Sequence, residues 1–378
     1  MKHLLILLTL CSSISLAQST INGSFIHGGI NRTYSYYVPA SYSAGTPVPL
    51  VLNLHGYTSN GTQQSFYTNF QPIADTANFI IVHPNGTNDP VGNQPFWNFN
   101  IWGATVDDLG FLQALIDTIS AHYSINQDRI YSVGMSNGGF MSYYLACNTN
   151  RFAAVGSVTG SMSFDMYNNC NSMLPVPIID IHGTADPTVP YNGNATSKPI
   201  EDVVDFWVAR NNCSTTPTVT TVPDINTTDG ATAEHYVYAG GVENHSVEFF
   251  KITNGGHTWP GATIPLPGNG NTCMDFNASK EIWRFFSQHQ RSEEAKINLV
   301  NKLEIGVTPN PATNSLAIQS DFPITGYSIL DLQGRIVQSE ATTISTNIDI
   351  QHLKNGSYLL YLKSNQQQFI VRFEKINQ

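Results

Sequence analysis

The chain has 378 residues and a formal net charge of −10, and charged side chains make up only 12% of it. That length suggests more than one domain and a large core. The acidic balance argues against nucleic acid and anionic membrane surfaces as partners, while a polar, weakly charged composition rich in Asn, Thr, Ser, Tyr and Gly is common in exported proteins that work on neutral polymers.

The first residues read as an export signal. Met1-Lys2-His3 is a basic start, Leu4 to Leu10 an apolar run, and Ser15-Leu16-Ala17 a small-residue cleavage pattern before Gln18. The run is too short to span a bilayer, so cleavage after Ala17 is expected, with no integral membrane segment left in the mature chain. Cys147, Cys170, Cys213 and Cys273 then remain. An even count in an exported chain favours two disulfides over a metal site, and no C-x-x-C or nearby His suggests a metal. Three connectivities are possible. Cys147 with Cys170 is the local choice, closing a loop of roughly two dozen residues, and it leaves Cys213 with Cys273.

Ile21 to His27 and Arg32 to Val38 read as an antiparallel pair around a glycine turn. Leu50 to Leu54 reads as a buried strand running into His55-Gly56-Tyr57, and Phe79 to Val82 as the next strand. A loop with Trp97 and Trp102 follows. Asp107-Asp108 opens a helix whose Leu109, Leu112, Ile116 and Ile119 keep helical spacing. Two adjacent carboxylates invite a general acid/base reading, but acidic residues at a helix start more simply satisfy free N–H groups and the dipole.

Ile130 to Met135 is a short apolar strand running into Gly134-Met135-Ser136-Asn137-Gly138-Gly139, followed at once by a helical run. That is the setting of a nucleophile elbow, a serine on a sharp strand-to-helix turn flanked by glycines where the two elements come close. The plainer alternative is a glycine-rich turn whose serine caps a helix. Further strands are expected over Ala153 to Val158, Val176 to Gly183 and Ser246 to Ile252, with helices over Pro199 to Arg210 and Phe276 to His289.

This alternation predicts an α/β fold, a mostly parallel sheet with helices on both faces, in which functional residues gather at the carboxyl ends of strands. Ser136, Asp186 and His257 each lie just after an expected strand, as does His55-Gly56. A serine hydroxyl needs a base to take its proton, an imidazole suits that work, and a carboxylate orients the imidazole. The chain order Ser, Asp, His is that of the hydrolases built on such an elbow. The oxyanion donors are expected to be backbone N–H groups of Asn137 and of Tyr57 or a neighbour, so side-chain substitution at Asn137 is expected to test them only weakly. Glycines before His257 are expected to let its loop approach the elbow. His182, His235 and His245 lack the right context, and Asp180, inside an apolar strand, is read as a partnered structural residue.

The segments Leu54-His55-Gly56, Asp107-Asp108-Leu109-Gly110, Gly134 to Gly139, His182-Gly183-Thr184-Ala185-Asp186 and Gly255-Gly256-His257-Thr258-Trp259-Pro260 resemble those of the secreted α/β-hydrolase esterases. That group includes polyhydroxybutyrate depolymerases, feruloyl esterases and acetylxylan esterases. The resemblance covers residues 24–289. It implies Ser136 as nucleophile, Asp186 as triad acid and His257 as base, with no metal or organic cofactor. The substrate implied is a polymeric ester, with feruloyl or acetyl esters of plant xylan ahead of a polyester such as polyhydroxybutyrate. Trp97, Trp102 and Trp259, with His55 and Tyr57, are the candidate contacts of an aromatic cleft, and ordinary core positions are the alternative for the tryptophans. His55 is also expected to shape the oxyanion loop through hydrogen bonds. A catalytically dead surface protein that binds polysaccharide is the rival from another class, opposed by the intact Ser, Asp and His.

The esterase domain is thus expected over residues 18–290, after a signal over 1–17, with a charged linker over 291–302. Over 303–378, alternating apolar residues between turn signals suggest a β-sandwich of about 75 residues. Its Pro309-Asn310-Pro311 start, the stretch from Asp331 to Arg335 and Leu353 to Tyr358 resemble the C-terminal sorting domain of the type IX secretion system of Bacteroidetes. This implies export through the periplasm, contact with that machinery, and release or surface attachment. A carbohydrate-binding module is the alternative.

Overall fold

The computed structural model describes residues 19–170, 174–264, 266–291, 306–320, 324–331, 336–340, 347–363 and 368–377. They divide into two compact units at 292/293. The expected signal over 1–17, all but Arg291 of the linker, and residues 332–335 of the tail lie outside the described residues.

The first unit is built on one ten-stranded sheet. In chain order its strands and helices are β1 (Ser19–His27), β2 (Ile30–Val38), β3 (Val48–Leu54), α1 (Gly61–Thr68), α2 (Gln71–Ala77), β4 (Ile80–Pro84), the small pair β5 (Thr87–Asn88) and β6 (Pro95–Phe96), and α3 (Asp108–His122). Then come β7 (Ile125–Met135), α4 (Asn137–Asn148), β8 (Ala154–Val158), α5 (Phe164–Asn169), β9 (Ile178–Gly183), α6 (Ile200–Arg210), β10 (Thr218–Thr221), β11 (Thr232–Tyr238), β12 (Val247–Thr253) and α7 (Ala278–Ser287). The spatial order is β1-β2-β4-β3-β7-β8-β9-β12-β11-β10. From β4 to β12 every pairing is parallel, and an antiparallel hairpin closes each edge.

Alternation along the strands sorts their side chains between two cores. Leu50, Leu52 and Leu54 face one side of β3 and Val51 the other; Ile80 and Val82 divide from Ile81 in the same way. The first face is covered by Phe111, Leu115 and Ile119 of α3, Met141 and Leu145 of α4, and Val203 and Trp207 of α6. The second is covered by Ala74 of α2 and by Ile282, Phe285 and Phe286 of α7. Helices on both faces explain why the central strands are mostly apolar, as a parallel sheet requires, with Asn53, Asp180 and His182 among the buried polar exceptions.

This arrangement places the Cys213 and Cys273 side chains in different cores, on opposite faces of the sheet. The expected second disulfide does not form: both are buried free thiols, and among the described residues only Cys147 and Cys170 are bonded. Counting cysteines could not reveal that a sheet lies between two of them.

The second unit has a three-stranded sheet, β13 (Gly306–Thr308), β14 (Ser315–Gln319) and β17 (Asn347–Asp349), in the order β13-β14-β17. Its four-stranded sheet, of order β16-β15-β18-β19, contains β15 (Gly326–Leu330), β16 (Ile336–Glu340), β18 (Gly356–Lys363) and β19 (Gln368–Lys375). All the pairings are antiparallel. Leu316, Ile318, Ile329, Leu360 and Phe373 from both sheets share one core.

Candidate active site

Four loops leave the carboxyl ends of parallel strands and meet. The tightest is the turn from β7 into α4. Ser136 has φ 54° and ψ −121°, a conformation L-residues rarely adopt. It is held by a bond from its own N–H to Val158 O (2.8 Å), and Gly139 N and Phe140 N donate back to Ser136 O. A Cβ on Gly134 would run into the Gly138 backbone, and one on Gly138 into Leu54 O. Only hydrogen fits at these two positions, so the glycines are a packing demand of the turn.

Asp186 follows β9 and His257 follows β12, on adjacent parallel strands. His257 Nδ1 lies 2.7 Å from Asp186 Oδ2, and both residues are buried. Asp186 Oδ1 accepts from Thr188 N and Val189 N, each at 2.8 Å. With its two oxygens so occupied the carboxylate is fixed, and it holds the imidazole with Nδ1–H pointed at it and Nε2 bare. Ser136 and His257 line one cavity of about 710 Å3. A bare imidazole nitrogen and a serine hydroxyl on one cavity are the two groups that general-base activation of a nucleophile requires.

The glycines before His257 serve a different approach from the one expected. A Cβ on Gly183 would meet Gly255 O, and one on Gly256 would meet Asn269 O. They let the loop close on the end of β9 and on the 269–270 segment.

The loop after β3 carries His55, Gly56 and Tyr57. Burial lowers the His55 pKa to about 4, so the ring is neutral. Its Nε2 accepts from Gly86 N (3.0 Å), which assigns the proton to Nδ1, donated to Gly56 O (2.7 Å). Both nitrogens are thus spent on the loop, and His55 is fully buried. It is not a substrate contact. Tyr57 does line the cavity, and its hydroxyl donates to Asp89 Oδ2 (3.0 Å). Burial pushes Asp89 upward, but the N–H groups of Gly92, Gln94 and Val91 and the Tyr57 hydroxyl outweigh it and hold its pKa at about 2.

Two of the three tryptophans are also core. Trp97 is fully buried and its Nε1 donates to His55 O (3.0 Å). Trp259 is 1% exposed and its Nε1 donates to Ser279 Oγ (3.0 Å). Trp102 is 45% exposed and packs edge-on against Tyr57, 5.4 Å between ring centroids, at the rim. The apolar wall comes instead from Phe66, Tyr67, Met135, Ile264 and Leu266. Sequence reading passed over α1, which carries Phe66 and Tyr67. Its one clear signal is Asn60, whose side chain caps the helix at Gln63 N.

The remaining candidates have structural partners. Asp107 caps α3 through Gly110 N, as the plainer reading held. His182 Nε2 bonds Val189 O, His235 bonds Glu248, and the Tyr143 hydroxyl donates to Asp180 Oδ2 (2.6 Å). One group of possible metal ligands is found among the described residues, Asp229, Cys273 and Asp275. Its carboxylates already accept from the backbone at Ala231, Met274, Ile225 and Asn226.

Residues 42–211 match the Phospholipase/Carboxylesterase family, and residues 306–375 match the Secretion system C-terminal sorting domain. The first unit has the α/β-hydrolase fold, and its match to the carboxylesterase family covers residues 42–211. The sorting domain marks it for type IX secretion, as a secreted or cell-surface protein. It is 28% identical over 173 residues to a bifunctional acetylxylan esterase/xylanase, XynS20E, of Neocallimastix patriciarum, covering 46% of this chain and 24% of that one. It is 27% identical over 254 residues to feruloyl esterase B of Piromyces equi, covering 63% and 43%. The chain therefore spans a quarter and under half of the length of these two relatives. The fold is shared with an acetyl xylan esterase from Aspergillus awamori, with TM-score 0.52 and 13% identity over 71% of this chain and 99% of that one.

Proposed function

We propose that this protein is a secreted serine esterase that cleaves carboxylic esters borne on a polymer. The observation that carries the reading is the 2.7 Å bond between His257 Nδ1 and Asp186 Oδ2, with His257 and Ser136 lining one cavity. Ser136 Oγ attacks the ester carbonyl as His257 Nε2 takes its proton. Asp186 keeps the imidazole oriented and stabilises the imidazolium. The oxyanion of the tetrahedral intermediate is received by the N–H groups of Asn137, at the first turn of α4 where no intrahelical acceptor exists, and of Tyr57. His257 then gives the proton to the departing alcohol. Water, deprotonated by the same nitrogen, releases the acid and restores Ser136.

The substrate reading is an acyl ester of a plant cell-wall xylan. The cavity of about 710 Å3 with Phe66, Tyr67, Ile264 and Leu266 along its wall is far larger than an acetyl group fills, and it favours an aromatic acyl group such as feruloyl. The names of the relatives and the polar, weakly charged surface support a polysaccharide as its carrier.

The test is product release from feruloylated arabinoxylan, acetylated xylan and polyhydroxybutyrate side by side, with Ser136→Ala as the blank. Ferulate release is the expected result. Hydroxybutyrate alone would move the reading to polyester degradation, and turnover by the Ser136→Ala protein would remove the nucleophile assignment.

A further inference from the structure

We propose that the side chains of Asn137 and Trp97 form a brace that sets the spacing of the oxyanion hole, making both of them positioning residues for the reaction. The proposal rests on the esterase reading above. The two oxyanion donors of that reading come from different elements, the start of α4 and the loop after β3, and such donors work only if both stand near 3 Å from one developing charge. Something must fix the distance between the two elements.

The segment around Trp97 does so. Asn137 Oδ1 accepts from Trp97 N (2.6 Å) and Asn137 Nδ2 donates to Trp97 O (3.1 Å), so one amide clasps both polar groups of one backbone residue. From the same residue the indole Nε1 donates to His55 O (3.0 Å), two positions before Tyr57. The His55 ring stands 5.0 Å from the Trp97 ring, centroid to centroid. Its two nitrogens tie the loop onward to Gly56 and to Gly86. A further bond, Thr58 N to Pro95 O (2.9 Å), binds the far side of Tyr57 to the strand that leads into Trp97. The 95–97 segment is thus a splint with one end on the elbow and the other on the first loop.

Chemistry explains the residue types. A primary amide is the side chain that presents a donor and an acceptor in one plane, matching a backbone N–H and C=O together; Asp lacks the donor and an apolar residue lacks both. Trp97 is fully buried and Asn137 7% exposed, so water cannot replace a lost bond cheaply, and the clasp is stiff. None of these groups meets the reacting atoms. Their action runs through the backbone N–H groups they hold. The side chain of Asn137 is therefore a better probe of the oxyanion hole than its backbone role alone suggests.

The test compares full-length wild type with Asn137→Ala, Asn137→Asp and Trp97→Phe on p-nitrophenyl acetate, with fold checked by circular dichroism. Each variant is expected to lose about ten- to a hundredfold in kcat with KM changed by less than about twofold. Affinity for phenylboronic acid, which forms a tetrahedral adduct with the serine, should weaken in parallel with kcat. Trp97→Phe keeps an aromatic ring and loses the indole N–H, so it carries the test if the Asn137 variants do not fold. Folded variants that turn over at the wild-type rate, or that raise KM alone, overturn the brace. A wild-type protein inert to both the ester and a fluorophosphonate probe overturns the esterase reading, and the brace with it.

Discussion

Arg32 Nη2 lies 2.5 Å from Asp108 Oδ1, and both side chains are sealed from solvent. The guanidinium also covers the Phe111 ring at 3.8 Å and donates to Asn85 O, while Asp108 Oδ2 accepts from Asn98 N. One ion pair therefore ties strand β2, the first turn of α3 and the loop bearing Trp97. Removing one partner strands a buried charge, so Asp108→Asn or Arg32→Met should lower the unfolding free energy by about 3–5 kcal/mol. An Arg32→Met/Asp108→Asn double variant should lose less than the two single losses together. Urea denaturation of the four proteins measures both.

His182 lies beside Asp186. Its Nε2 is 2.9 Å from Val189 O and 3.4 Å from Asp186 Oδ2, and Val189 N in turn holds Asp186 Oδ1. Burial pushes the His182 pKa down to about 4, so near neutral pH it is an uncharged N–H donor to this turn. His182→Phe should reduce kcat about tenfold by loosening Asp186. His182→Gln, which keeps an N–H near the Nε2 position, should recover most of it. Equal losses in the two variants would show that the ring volume matters and the donor does not.

The bond between Cys147 and Cys170 joins the end of α4 to the end of α5 across a separation of 23 residues. Cys147→Ala/Cys170→Ala should cost about 3 kcal/mol of stability. Alkylation of the denatured, unreduced protein should modify Cys213 and Cys273 and leave a Cys147–Cys170 linked peptide in the digest. A peptide linking Cys213 to Cys273 would contradict the two-faced core.

Acid should destabilise the first unit. Burial lowers the pKa of His55, His182 and His289 to about 4 and of His83 to about 3, against 6.5 for an ordinary histidine. Between those values the unfolded chain binds protons that the native rings refuse. Stability is therefore fully present above pH 6.5 and lost as pH falls toward 4. Asp180, raised to about 7 by burial, acts in the opposite sense between 3.8 and 7, and the histidines outnumber it. The melting temperature should fall steadily from pH 7 to pH 4. Among the described residues neither ring nitrogen of His83 has a hydrogen-bond partner, so His83→Met should flatten the slope and raise the melting temperature.

Much of this was legible because it depends on neighbours in sequence. The strand before Ser136, the glycines around it and the helix after it are one local unit, and Gly134 and Gly138 announce a close approach that the backbone contacts then require. Largely apolar runs such as Leu50 to Leu54 and Ile178 to Ile181 foretold the parallel sheet, since strands buried on both faces are near-continuously hydrophobic, with a partnered Asn53 or Asp180 as the exception. Strand ends then drew attention to Asp186 and His257. Asp107 was a cap, as its position before Gly110 suggested.

Tertiary structure alone decided which polar and aromatic groups face inward. Trp97, Trp259 and His55 occur among loop residues that look exposed, yet each is buried with its polar atoms bonded to distant segments. Asp108, next to the capping Asp107, is buried by Arg32 from a strand 76 residues away and by Asn98 N. Cys213 and Cys273 lie on opposite faces of the sheet, which no spacing records. Periodicity and turn chemistry are set within a few residues, so the sequence by itself determined the parallel strands, their alternation with the longer helices and the loops that carry Ser136, Asp186 and His257, but not α1, α2, α5 or the β10–β11 pair. Burial and long-range partners are set by which face each element turns to the sheet, and for these side chains only the folded chain holds that information.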